Sequence, residues 1–222
     1  MSGLFLVLEG LDGSGKTTAA GRIADYFRGL GYEVIETREP GGTSLGERIR
    51  KLLLEPGEGG MLPQTEALLF AAARAQHVGE LIVPALRRGA VVVCDRFVDS
   101  SLAYQGGGRG LGFAQIRELQ HLATGGVEPD LKLFFDVTPD QALIRRQSDG
   151  DINRLDRERL DFYKRVADAY RTLAFQEPGV WRTIDASRTP EEVWQDVRRQ
   201  LKQMSLPRTG KAVNMEIERA SR

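Results

Sequence analysis

Among 222 residues there is a single cysteine, Cys94, which excludes an internal disulfide and any cysteine-rich metal site. It lies in an apolar run of strand character, so it reads as core, and a reducing compartment is expected. Neither sign of charge dominates: 31 basic side chains face 31 acidic ones, which argues against a broad polyanion-binding surface and so against nucleic acid as a partner. No stretch approaches the ~20 apolar residues of a membrane helix. The opening residues also lack the basic region, apolar segment and small-residue cleavage site of a secretion signal. A soluble, cytoplasmic protein without a membrane partner is the expectation.

What is present is the pattern of an α/β fold. Apolar runs of strand length recur at Leu4–Glu9, Tyr32–Thr37, Ala90–Asp95, Leu131–Val137 and Val180–Asp185. Their Val, Leu, Ile and Phe are nearly continuous rather than alternating, which predicts strands covered on both faces. Longer helical patterns separate them, so a parallel five-stranded sheet with right-handed helical crossovers is expected. Thr138-Pro139 with Gln141, and Thr189-Pro190 with Glu192, each begin a helix with a capping box and a proline at the first position. The length fits one domain, residues 1–204. Residues 205–222 are polar without a sustained amphipathic period, and a flexible tail is expected there.

The first strand runs directly into Gly10-Leu11-Asp12-Gly13-Ser14-Gly15-Lys16-Thr17, followed by Thr18 and a helix carrying Ile23, Ala24 and Phe27. This strand–loop–helix setting of G-x-x-x-x-G-K-[ST] predicts a phosphate-binding loop, with backbone N–H groups around a phosphate at a helix N-terminus. Lys16 is expected to reach the β- and γ-phosphates of ATP, and the Thr17 hydroxyl to coordinate Mg2+. No guanine-reading Asn-Lys-x-Asp segment follows. The loop alone does not name the acceptor, because many ATPases and kinases share it.

Four further polar segments follow the strands or the helices beside them: Asp12 itself, "TREPGGTSLG", "LLFAAARAQH" and "DRFVDSSLAYQGGGRG". With "LEGLDGSGKTT" and "IDASRT", these make the chain resemble the bacterial thymidylate kinases over about Leu4 to Leu201. The resemblance implies a nucleoside-monophosphate-kinase-like fold with a mobile lid at about 145–157 and a homodimer. It also implies transfer of a phosphoryl group from ATP to dTMP, with Mg2+, in dTTP biosynthesis. Two rivals stay open on the residues alone: another nucleoside-monophosphate or deoxynucleoside kinase, and a nucleotide-gated partner-switch ATPase.

Residue by residue, the resemblance assigns Arg38 and Arg96 to the acceptor phosphate, a role that suits a planar fork; the bland alternative for Arg38 is an ion pair with Glu39. Phe70 and Arg74, four apart, share one helix face, where the family places thymine. Ser100, Ser101, Tyr104 and Gln105 are assigned to the sugar and base, with the Tyr104 ring disfavouring a 2′-hydroxyl. The following glycines, with Arg109, read as a flexible turn. Asp12 is matched to the sugar 3′-hydroxyl and the metal-bound phosphates. Asp95 is either a metal-side carboxylate or an anchor for the loop or Arg96, and Glu9 reads as an anchor. His77 and His121 read as supporting or packing residues, since phosphate needs little general-base help.

The loop interior holds no arginine, so the chain resembles the form that supplies its catalytic arginine from the lid. Arg154 is the first candidate and Arg146 the second, with Arg145 and Arg157 behind them. Asn153 and Asp156 stand where the family commonly has Asp and Glu.

Overall fold

A computed structural model describes residues 3–55, 60–148, 154–155 and 158–204. Five parallel strands, β1 (Leu4–Gly10), β2 (Val34–Arg38), β3 (Val91–Asp95), β4 (Leu131–Asp136) and β5 (Trp181–Asp185), form one sheet in the order β2-β3-β1-β4-β5. Every residue of β1 is buried, as a central strand requires when helices cover both faces. Its side chains alternate between two cores. Leu4, Leu6 and Leu8 join Phe27, Phe135 and Tyr170, while Phe5 and Val7 join Ile82, Val92, Cys94 and Phe97. Each such aliphatic or aromatic burial contributes about 1.5–3 kcal/mol.

The helices are α1 (Lys16–Gly29), α2 (Ser44–Leu54), α3 (Pro63–His77), α4 (Val83–Arg87), α5 (Val98–Ser101), α6 (Phe113–Thr124), α7 (Pro139–Ser148), α8 (Leu160–Gln176) and α9 (Pro190–Lys202). The box at the start of α9 forms as expected, with Thr189 Oγ1 accepting from Glu192 N and Glu192 Oε2 accepting from Thr189 N. Strand β2 starts two residues later than the apolar run suggests. Tyr32 N instead donates to Phe27 O at 3.1 Å, and the two rings meet edge to face at 5.8 Å, so Tyr32 closes the end of α1.

The glycine run is not a flexible turn. Leu102–Gly108 continues α5 as wide i→i+5 helical turns, which favour functional sites. Its glycines let α8 approach: a Cβ on Gly108 would lie 2.6 Å from Phe162 Cε2, and one on Gly107 2.8 Å from Ala169 Cβ.

Register decides what meets at the carboxyl edge of the sheet. Asp95 pairs with Leu8 on one side and Arg38 on the other, Gly10 pairs with Phe135, and Asp136 with Asp185. The residues after β1, β2 and β3 therefore emerge side by side, at the edge where open α/β sheets bind ligands.

Candidate functional site: two clefts that meet at Asp12

The glycines at the end of β1 make the loop possible. Gly10 has φ +139° and Gly13 φ +79°, and a Cβ on either would lie 2.6 Å from Phe135 O or 2.4 Å from Ala142 O. The second contact seats the loop against α7, which carries Arg145 and Arg146. Lys16 curls over the loop, its Nζ donating to Leu11 O at 2.7 Å. Burial first, then the nearby Arg96 charge, pushes the Lys16 ammonium down to about 8, against the pull of Asp95 and Asp12. Thr17 Oγ1 donates to Asp95 Oδ2 at 2.7 Å. Asp95 Oδ1 is buried with no hydrogen-bond partner among the described residues, the situation of a carboxylate oxygen suited to a cation or its water. Thr17 and Asp95 thus fit a Mg2+ ion.

The cleft expected to take the donor runs outward from this loop, lined by Gly13 to Thr18, Asp95, Arg146 and, farther out, Arg22, Arg188 and Trp194. Arg145 also lines it but is occupied: Nη1 donates to Ala186 O at 2.8 Å and Nη2 to Ser187 O at 3.3 Å. It braces the loop after β5. Trp194 carries no functional signal in the sequence, where it reads as one more apolar position of α9; the Arg22 guanidinium sits 5.4 Å above its ring.

The cleft expected to take the acceptor lies on the other side of Asp12, among Arg50, Phe70, Arg74, Arg96, Tyr104 and Gln105, with Ser100, Ser101 and Leu155 also on its wall. Asp12 lines both clefts. Arg96 Nη2 donates to Asp12 Oδ1 at 2.8 Å and Nη1 to Ser100 Oγ at 3.0 Å, and its guanidinium lies 5.1 Å from the Tyr104 ring centre. Burial opposes ionisation of Asp12, but Arg96 and Lys16 outweigh it and hold the carboxyl well below its usual range. Among the described residues Arg96 alone is a non-glycine with positive φ, +73°, a strained conformation of the kind that clusters at functional sites. Two backbone ties hold it: Arg96 N donates to Leu8 O and Phe97 N to Glu9 Oε1, each at 2.9 Å.

Glu9 is the anchor the sequence suggested, with a partner it did not. Its Oε2 accepts from Ser100 Oγ at 2.5 Å and from Tyr170 OH at 3.0 Å. Tyr170, read as a core position of a periodic helix, also accepts from Arg96 Nη1 at 3.1 Å. Burial, then the charge of Asp99, raises Glu9 to about 7.

Arg74 is fully buried and extensively bonded. It donates to Glu39 Oε2 at 2.6 Å, Ser101 Oγ at 2.9 Å and Phe97 O at 2.8 Å, and also to Gln120 Oε1. His77 completes this network between Glu39 and Thr37; His121 is exposed on α6. The ion pair considered for Arg38 forms with Glu47 rather than Glu39, at 3.2 Å, leaving the Arg38 side chain 52% exposed. Arg50, which no motif flagged, lines the cleft instead and donates to Pro40 O at 2.9 Å.

Arg154, the first candidate for the catalytic arginine, is bonded to groups of the protein itself. Its Nη2 donates to Glu66 Oε2 at 2.6 Å and its Nε to Leu53 O at 2.9 Å, while its backbone N–H holds Leu54 O at 3.0 Å. A buried carboxylate and two carbonyls at the end of α2 hold it there. Arg157, Asn153 and Asp156 lie outside the described residues.

A family model described as thymidylate kinase matches residues 8–197. The thymidylate kinase of Pelotomaculum thermopropionicum is 49% identical over 198 residues, covering 89% of this chain and 92% of the relative. That of Pseudomonas fluorescens is 49% identical over 197 residues, covering 89% and 94%. The crystal structure of thymidylate kinase from Ehrlichia chaffeensis superposes with a TM-score of 0.74 at 34% identity, over 90% of this chain and 98% of that one. The two clefts, the loop between them and these likenesses have one reading: the chain belongs to the thymidylate kinase family.

Proposed function

We infer that the chain transfers the γ-phosphoryl group of ATP to dTMP, giving dTDP and ADP. One observation carries this reading beyond family membership: Asp12 lines both the cleft at the phosphate loop and the arginine-lined cleft, and Arg96 of the second cleft is hydrogen-bonded to it. A switch ATPase has no use for a second cleft of this kind, whereas a kinase needs donor and acceptor phosphates held together.

In this reading Arg96 and Arg50 hold the acceptor phosphate, with Arg38 at the rim. Phe70 packs against the base, Gln105 and Arg74 face its polar edge, and Tyr104 closes on the sugar. Asp12 receives the 3′-hydroxyl and, by pairing with Arg96, keeps the guanidinium aimed at the junction. Lys16 and the loop N–H groups hold the β- and γ-phosphates, and Arg146 offsets the charge that spreads over the phosphoryl group in flight. Arg154 anchors the segment over the acceptor cleft. Mg2+, held by Thr17 and by Asp95 directly or through water, would neutralise the β- and γ-phosphate oxygens.

Self-association is supported by Leu52, Leu68 and Leu122, exposed on α2, α3 and α6, with α3 packed against both of the others; sedimentation of Leu68→Glu as a monomer would support that face. No helix among the described residues is long and apolar enough to cross a membrane, and together with the buried thiol of Cys94 this supports the cytoplasm. The deciding test separates products chromatographically after ATP is mixed with dTMP, dUMP, UMP, CMP, AMP or GMP. dTDP is the expected main product; ATP hydrolysis without phosphorylated acceptor would favour the switch reading.

A further inference from the structure

Glu66, on the first turn of α3, has no place in the roles above, yet it is fully buried (0% exposed) and takes four hydrogen bonds. Its Oε1 accepts from Gln105 Nε2 at 2.8 Å and Arg109 Nε at 3.1 Å. Its Oε2 accepts from Arg109 Nη2 at 3.0 Å and Arg154 Nη2 at 2.6 Å. Burial pushes the pKa of such a group up, but the hydrogen bonds from Arg109, Gln105 and Arg154 outweigh it and hold Glu66 below its usual range. An ionised carboxylate accepts and cannot donate. Its partner on Gln105 is therefore the amide nitrogen, which settles which way the Gln105 amide faces.

The other end of that amide is the consequence. Gln105 Oε1 is buried with no hydrogen-bond partner among the described residues, and Gln105 lines the acceptor cleft. A buried carbonyl oxygen left in this way favours a ligand that brings a donor and penalises one that brings a second lone pair.

We propose that Glu66 is a positioning residue for acceptor choice: by holding Gln105 through its amide nitrogen, it turns the carbonyl oxygen toward the base and selects a pyrimidine carrying N–H at ring position 3 over one carrying a lone pair there. The proposal rests on the reading that this cleft holds the base of dTMP. Arg109 and Arg154 serve it by keeping Glu66 ionised and fixed, and Arg109 is itself held by Glu158, 2.5 Å from its Nη1.

The test measures dissociation constants of dTMP and dCMP by displacement calorimetry, for the full chain and for Glu66→Gln, Glu66→Asp, Gln105→Ala and the double variant Glu66→Gln/Gln105→Ala. Glu66→Gln is expected to lower the preference for dTMP over dCMP by ~10-fold, the scale of one oriented hydrogen bond. Glu66→Asp, which keeps the charge and withdraws it by one methylene, is expected to fall between, and it carries the test if Glu66→Gln does not fold. In the Gln105→Ala background, removing Glu66 is expected to change the preference no further. A purely structural Glu66 would weaken both nucleotides equally, and that result, or an additive double variant, overturns the proposal. If Gln105→Ala alone leaves dTMP binding and the preference untouched, the assignment of this cleft to the base is what fails, and the proposal falls with it.

Discussion

Arg96 Nη2 and Asp12 Oδ1 lie 2.8 Å apart at the boundary between the two clefts, with Arg96 in a left-handed backbone conformation at φ +73°. The pair is only partly shielded, the Arg96 side chain being 14% and the Asp12 side chain 33% exposed. Its value therefore lies in aim more than in stability. The fork offers Asp12 one edge and Ser100 the other, and no shorter or rounder cation spans that distance in the same way.

Arg96→Lys keeps the charge but loses the fork. It is expected to lower kcat/KM for dTMP by ~100-fold or more, with little change in KM for ATP and a native far-ultraviolet circular dichroism spectrum. Equal losses in the ATP and dTMP constants would place Arg96 outside acceptor binding.

The two arginines after β4 are expected to separate kinetically. Arg146 lines the donor cleft, so Arg146→Ala should lower kcat by ~100-fold or more with a modest change in either KM, the pattern of charge stabilisation in the transition state. Arg154 is bound to Glu66 and Leu53, so Arg154→Ala should act mainly on KM for dTMP. The reverse pattern in steady-state kinetics would return Arg154 to the phosphoryl group.

Lys16, pushed down to about 8 chiefly by burial and Arg96, must be charged to hold phosphate. Nucleotide binding favours its charged form, so ATP affinity is expected to fall as pH rises through about 8, with proton uptake on binding. Calorimetry at pH 8 in two buffers of different ionisation enthalpy reads that uptake directly; no uptake would contradict the assignment.

Glu9 raises a stability question of the opposite kind. Its folded-state value of about 7 stands above the ordinary 4.5, so the folded state binds the extra proton between these limits. Its contribution is full below about 4.5 and is lost as pH rises to about 7. Denaturant unfolding at pH 5 and pH 8 should show this loss, and Glu9→Gln should flatten it. A variant with the same pH slope would locate the proton elsewhere.

At Gly108 the prediction is steric. A Cβ would meet Phe162 at 2.6 Å and Val166 at 2.8 Å, so Gly108→Ala is expected to destabilise by about 1–3 kcal/mol through overpacking against α8. A thermal melt within a degree of the parent would show that α8 can yield.

Local chemistry explains what could be read from the chain before its fold was known. Gly10 to Thr17 identify themselves because phosphate binding by backbone N–H groups imposes glycines and a lysine at fixed spacing. The apolar runs predict the strands because a doubly covered sheet cannot alternate polar and apolar residues. Phe70 and Gln105 entered through resemblance, and the acceptor cleft does contain both. Arg50, Tyr170, Trp194 and Glu66 carried no such signal, each reading as an ordinary residue of an amphipathic helix. Where the lid arginine points was equally illegible, because Arg154 meets Glu66 across 88 positions of chain.

The sequence by itself determined the strands and the phosphate loop, because each depends on neighbours a few positions away. Only the tertiary structure decided which carboxylate meets which guanidinium, that the glycine run is a packing surface for α8, and that the Gln105 amide nitrogen meets Glu66. Those outcomes depend on residues brought together by strand register and helix packing, and no local pattern records the partner.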